Sequence, residues 1–219
     1  MVTVSYSGLG MYDNCPSSFE RKYILKEQVR EVKEEDAPAM FRGKRIHEGI
    51  EKFLLGDDEA IPREAEFYID FFKSIRKQET LTPEREFAFN PEWVTTSFHD
   101  PHAAIRGVID AVFVDGDTCH VFEFKTGKIY EEHEKQRALY GLAALLLEPI
   151  VDKAVVTNIY IDQRKNQSAE FTREEIEAYK WLWSRRMAKV QPPQNYMMRP
   201  NWKCKWCAYS QSNGGTCPN

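Results

Sequence analysis

Apolar and polar positions change period several times along the chain, and each change marks an element. Two runs rich in Val, Ile and Phe, residues 104–114 and 118–125, flank an Asp115-Gly116 turn signal and predict a β-hairpin. Glu86-Phe87-Ala88-Phe89 alternates like a strand, and residues 153–161 predict another through Val155, Val156, Ile159 and Ile161. Elsewhere the spacing is helical. Residues 41–55 place Ile46, Ile50, Phe53 and Leu54 on one face; residues 63–79, opened by Pro62, offer Phe67, Tyr68, Phe71, Phe72 and Ile75. Residues 131–147 predict a long helix ending in Leu145-Leu146-Leu147. The capping box Thr172-Arg-Glu-Glu175 starts one more, with Ile176, Tyr179, Leu182, Trp183 and Met187 inward. At the front, residues 5–25 read as two short helices capped by Ser5 or Ser7 and broken at Cys15-Pro16; the charged residues 26–38 read as a solvated arm. Pro192-Pro193 ends the periodicity, and a polar, aromatic, cysteine-bearing tail follows.

Helices interleaved with strands predict an α/β domain, a central mixed β-sheet flanked by helices. With 219 residues, 42% of them hydrophobic, the chain can bury one core, so residues 1–219 are expected to form a single domain. No run is long enough to span a membrane and the front lacks an apolar signal region, so a soluble, cytoplasmic protein is expected. The net charge of −4 means that a nucleic-acid partner would need a local basic cleft. Five cysteines in such a chain point to metal or cofactor ligation before disulfides.

The polar interruptions of the hairpin are the candidate chemistry. Alternation puts Glu123 and Lys125 on one face of the second strand, with Phe122 and Phe124 on the other. Register decides whether Asp110 joins them. A two-residue loop at Asp115-Gly116 pairs Val114 with Asp117 and sets Asp110 diagonal to Glu123, ~7–8 Å away at the backbone. A four-residue loop sets Asp110 directly opposite Glu123, and a three-residue loop separates the two by a sheet face. Arg106, on Asp110's face, suits a phosphate contact or an edge salt bridge. Taken singly, each remaining candidate also has an ordinary reading. His47 lies beside an apolar helical stripe, Gln136 and Tyr140 share a helix face, Cys15 suits a core filler and Cys119 a strand interior. Cys204-Lys-Trp-Cys207 followed by Cys217 is compatible with zinc or iron–sulfur ligation. Trp202, Lys203, Lys205 and Trp206 suit either a single-strand platform or a shield over a cluster, the shield being favoured.

In order, the chain carries Ser5-x-Ser7-x-Leu9-x-x-Tyr12-x-x-Cys15-Pro16, the helical His47, Gly107-x-x-Asp110, Glu123-x-Lys125, Gln136-x-x-x-Tyr140 and a cysteine-rich end. This order resembles the RecB-like branch of the PD-(D/E)XK nuclease superfamily and, within it, the Cas4-like proteins. The resemblance implies a restriction-endonuclease-like core and a metal-dependent deoxyribonuclease, an exonuclease acting on single-stranded DNA ends in recombination, repair or DNA processing. A protein partner in that processing is compatible with it. Mg²⁺ or Mn²⁺ would be held by Asp110, Glu123, the Phe124 carbonyl and His47, the imidazole tipping the preference toward Mn²⁺. Lys125 would orient the water and stabilise developing charge. The family implies that Gln136 and Tyr140 position the strand or the lysine. It also favours a [4Fe–4S] cluster on Cys15, Cys204, Cys207 and Cys217, joining residues 1–25 to 195–219. The nine residues 208–216 between the last two cysteines are a longer gap than expected, which keeps a structural Zn²⁺ as the alternative. A rival reading is a DNA-binding or adaptor subunit that keeps the fold and cluster without cutting. The intact set of His47, Asp110, Glu123 and Lys125 argues against it.

Overall fold

A computed structural model describes residues 1–29 and 32–218. Five strands form one sheet in chain order: β1 (Thr82–Phe89), β2 (Ile105–Asp115), β3 (Thr118–Lys125), β4 (Lys153–Tyr160) and β5 (Lys165–Thr172). β3 and β4 are parallel and the other neighbours antiparallel, so the sheet is mixed. Parallel neighbours need a long connection, and here it is a helix, Glu132–Leu147. Taking the helices in order gives α1 (Tyr6–Asn14), α2 (Pro16–Phe19), α3 (Pro38–Leu54), α4 (Ile69–Ile75), this crossover α5, and α6 (Ile176–Ala188).

The two faces of the sheet bury separate clusters. Val121 and Val156 pack with Leu9, Phe19, Leu139 and Trp183 from α1, α2, α5 and α6. Phe113, Phe122 and Phe124 pack with Ile50, Phe53 and Phe72 from α3 and α4. Alternation along β3 therefore serves both layers, as its sequence implies. Residues near the two chain ends are stitched together. Val4 pairs with Ile105 of β2, the Gln191 side chain exchanges two hydrogen bonds with the Val2 backbone, and Arg186 meets Asp13 at 2.6 Å. Among the described residues no helix is long and apolar enough to cross a membrane.

Several expectations shift. The hairpin turn falls one residue later than Asp115-Gly116, since Asp115 pairs with Thr118 and Val114 with Cys119. Gly116, at φ 57°, takes the first loop position, where primed hairpin turns need a left-handed backbone. The stretch after Pro62 is a 3₁₀ turn (Arg63–Tyr68) before the short α4, which leaves Phe67 exposed, and Leu182 of α6 is exposed as well. β5 carries no apolar alternation, and its residues face solvent except near Phe171. It is a polar edge strand, formed by pairing with β4, with nothing to bury on its outer side. Of the expected arm, Arg30 and Glu31 lie outside the described residues.

The largest departure is at Asp110. In β2, Ile105, Ile109 and Val112 join the α5 layer while Ala111 and Phe113 join the α3 layer, so alternation breaks between 109 and 111. The β1 pairs Pro83↔Ala111 and Arg85↔Ile109 place Glu84 across from Asp110, and Glu84 has a φ of 47°. The β3 ladder stops at Ala111↔Phe122. Asp110 thus lies in neither ladder, at the seam between the two layers.

Candidate active site

With β2 unpaired at Asp110, its carboxylate reaches both the neighbouring strand β3 and the α3 layer. Oδ2 accepts a 2.6 Å hydrogen bond from the Phe124 N–H, replacing the ladder bond that β3 lacks there. Oδ1 lies 3.3 Å from His47 Nδ1, presented by α3 from the opposite layer. The turn shift has a direct effect here, because carrying the β2–β3 register one step on sets Asp110 opposite Glu123 and not diagonal to it. Phe124 touches the site through its N–H.

Glu123 and Lys125 face α5, as alternation requires. Lys125 Nζ donates to Glu123 Oε1 at 2.6 Å and to Gln136 Oε1 at 2.7 Å. Gln136 Nε2 lies 3.0 Å from both Glu123 Oε1 and the Tyr140 hydroxyl. The Tyr140 hydroxyl donates to the Val108 carbonyl at 2.8 Å, and its ring meets Phe87 edge-on at 5.8 Å. Gly107 explains itself in this packing. A Cβ there would sit 2.6 Å from the Phe87 ring, the wall against which Tyr140 rests. Gln136 and Tyr140, polar surface on the ordinary reading, are both buried.

Clustered carboxylates dominate the electrostatics. Glu123 is 6% exposed, and its Oε2 has no hydrogen-bond partner. Burial first, then the negative charge of Asp110, raise its pKa against the opposing pull of Lys125. Burial alone would depress His47, but the hydrogen bond and charge of Asp110 outweigh it and carry the imidazole to about 9. Glu84 escaped the sequence reading. Burial and the charges of Asp110 and Glu51 push its carboxyl up to about 7. No local motif could have found it, because its place depends on the β1–β2 register and on its own left-handed backbone. Asn158 and Tyr160, which pair with Glu123 and Lys125 from β4, were also missed. They continue the polar layer to His133, whose Nδ1 is 3.0 Å from the Tyr160 hydroxyl. Arg106 donates to the Phe98 carbonyl and lies over the Phe98 ring, and among the described residues it forms no salt bridge.

The cysteines form a second assembly. Cys15, Cys204, Cys207 and Cys217 all line one cavity between α1, α2 and the tail. The backbone N–H groups of Arg199 and Asn201 point at Cys15 Sγ and Cys204 Sγ, at 3.4 and 3.3 Å. The long gap before Cys217 is taken up by a closed loop. Gly214 turns left-handed, Gly215 lies so close to the Tyr209 backbone that no Cβ fits, and Cys217 N–H donates to the Tyr209 carbonyl at 2.7 Å. Cys119 is buried in β3, and its thiol is pushed up to about 12 by burial. Trp202 and Trp206 are 69% and 59% exposed, and neither lines the cysteine cavity. Among the described residues, no three His, Cys, Asp or Glu side chains are already closed around a common point. Donor chemistry still fits both implied groups. A buried carboxylate oxygen without a partner suits a hard divalent ion, and four thiols on one cavity with N–H groups aimed at sulfur suit a thiolate-bound metal.

Comparison with known proteins agrees with this architecture. The PD-(D/E)XK nuclease superfamily matches over residues 3–212, and the chain belongs to that superfamily. Its members are hydrolytic nucleases that generally use Mg²⁺ or Mn²⁺. Among solved structures, SSO0001 is similar at 19% identity with a TM-score of 0.50, over 100% of this chain and 87% of that one. A presumed exonuclease from Eubacterium rectale is similar at 12% identity with a TM-score of 0.51, over 85% and 79%. At these identities the likeness is one of fold. No curated protein matches the chain in sequence.

Proposed function

We propose that the chain is a metal-dependent deoxyribonuclease that degrades DNA from single-stranded ends. The observation that carries this reading is the buried Glu123 carboxylate, with one oxygen on Lys125 and the other bare, beside Asp110 and His47. Such a group is costly to bury unless a proton or cation joins it. Asp110, Glu123, His47 and the Phe124 carbonyl would hold Mn²⁺ or Mg²⁺, which supplies a polarised phosphate and an acidified water. Lys125 holds charge next to the scissile phosphate and orients the water. Gln136 fixes both Lys125 and Glu123, and Tyr140 fixes Gln136 through its bond to the Val108 carbonyl.

The test is cleavage of an end-labelled single-stranded oligonucleotide with Mn²⁺. The wild type is expected to shorten it progressively. Lys125→Ala, Asp110→Asn and Glu123→Gln are each expected to lose at least about a thousandfold, the ~4 kcal/mol scale of a lost charge-stabilising group, while still binding DNA. Undiminished cleavage by both carboxylate variants would place the chemistry elsewhere.

The thiol-lined cavity supports a second cofactor, a [4Fe–4S] cluster on Cys15, Cys204, Cys207 and Cys217. Anaerobically purified protein is expected to be brown, with broad absorbance near ~400 nm. One equivalent of zinc in a colourless protein would replace the cluster by a structural Zn²⁺ on the same ligands.

A further inference from the structure

We propose that the surface running from Gln136 along α1 to Trp202 and Trp206 is the track on which the single-stranded tail of the substrate lies. This rests on the nuclease reading and adds to it where the rest of the strand goes.

Two cavities meet at Ser7. The first, about 260 Å³, opens beside Gln136 and Tyr140 and is walled by Arg106 and Phe98. The second, about 930 Å³, continues from Ser7 over Gly10, Met11 and Asn14 of α1 to Trp202, Lys203 and Trp206. At Gly10 the floor is open, since a Cβ added there would meet nothing within 4 Å. From Ser7 to Asn14 the helix rises about 10 Å, so a strand reaching from the carboxylates to the indoles must be several nucleotides long.

The far end has the chemistry of a base platform. Trp202 and Trp206 meet edge to face at 5.4 Å, and both leave most of their surface to solvent. Lys203 Nζ lies 5.5 Å from the Trp202 ring and Lys205 Nζ 3.9 Å from the Trp206 ring. Exposed indoles offer stacking faces to unpaired bases, and the ammonium groups beside them suit phosphates. A duplex hides its base faces and would use only the lysines. Among the described residues of the second cavity, Lys22 and Lys203 face one acid, Asp36, so the track is locally cationic although the chain as a whole is acidic.

The experiment is fluorescence anisotropy of labelled oligo(dT) of increasing length, in EDTA so that no cleavage intervenes. Trp202→Ala and Trp206→Ala should each weaken a long oligonucleotide about tenfold, and the pair about a hundredfold. Trp181→Ala, which removes an exposed tryptophan on α6, should change nothing. Trp→Phe should restore most of the loss, and oligonucleotides too short to reach the indoles should bind all variants alike. Lys22→Glu and Lys203→Glu, surface charge reversals that leave packing intact, should weaken binding and reduce its salt dependence. Wild-type affinity in the double tryptophan variant, equal competition by duplex, or loss in Trp181→Ala would overturn the track. If tryptophan-dependent binding persists in a protein that cleaves nothing, the nuclease reading fails and the track stands. If cleavage is robust and long strands ignore the indoles, the reverse holds.

Discussion

Lys125 and His47 each hold one carboxylate, and both stand where a metal ion would compete with them. Without metal, His47, Glu84 and Glu123 all bind protons more tightly folded than unfolded. A group raised in the folded state gives stability that is complete below its unfolded pKa and is lost as pH climbs through the folded one. For Glu84 that window runs from 4.5 to about 7, and for His47 from 6.5 to about 9. The metal-free melting temperature should therefore fall as pH rises across this range, by differential scanning fluorimetry, and His47→Ala should flatten the upper part. Mn²⁺ takes the place of protons, so the stabilisation it gives should be larger at pH 8 than at pH 5.5. Glu84→Gly should raise metal-free stability, because glycine accepts the left-handed backbone that glutamate occupies there, while Mn²⁺ affinity falls with the lost charge. Residues related along a single element were legible in the sequence. Glu123 and Lys125 are two apart in a strand, Gln136 and Tyr140 four apart in a helix. Glu84 was hidden because its partner is 26 positions away (110 − 84) and is reached only through register.

At the scale of elements, α5 both closes the parallel crossover and supplies Gln136 and Tyr140. Its approach to the sheet requires Gly141, where any Cβ would run into the Phe171 ring of β5. Gly141→Val should cost ~1–3 kcal/mol by overpacking, read as a shift in the urea midpoint. Gly107→Ala should displace Phe87 and with it Tyr140, lowering cleavage more than a distant substitution of equal stability cost. The long amphipathic helices and the hydrophobic strands were readable from period alone. The polar edge strand β5 was not, because a strand with one solvated side and one neighbour to pair with needs no apolar signature. The turn was ambiguous for a related reason. Asp115-Gly116-Asp117 offers a glycine to either of two adjacent loops, and that one-residue choice moves Asp110 from a diagonal to a facing position.

At the scale of the molecule, residues far apart in the chain hold one another in place. Glu27 meets Thr216 at 2.7 Å, Tyr12 meets Gln194 at 3.0 Å, and Gln191 closes on Val2. Truncation after Val190 should expose α1 and α2 to limited proteolysis while β1–β5 stay protected, which would separate this stitching from the stability of the sheet. The stitching also sets an order in time. A contact spanning 189 positions cannot form until Gln191 has been made. The sheet can close once β5 has left the ribosome, and α1 can then pack on it, but the cavity that holds the Cys15 thiol is complete only when Cys217 has emerged. The cysteine-lined cavity therefore cannot close before Cys217 has been made, and a metal held by all four thiols could be loaded only after that point.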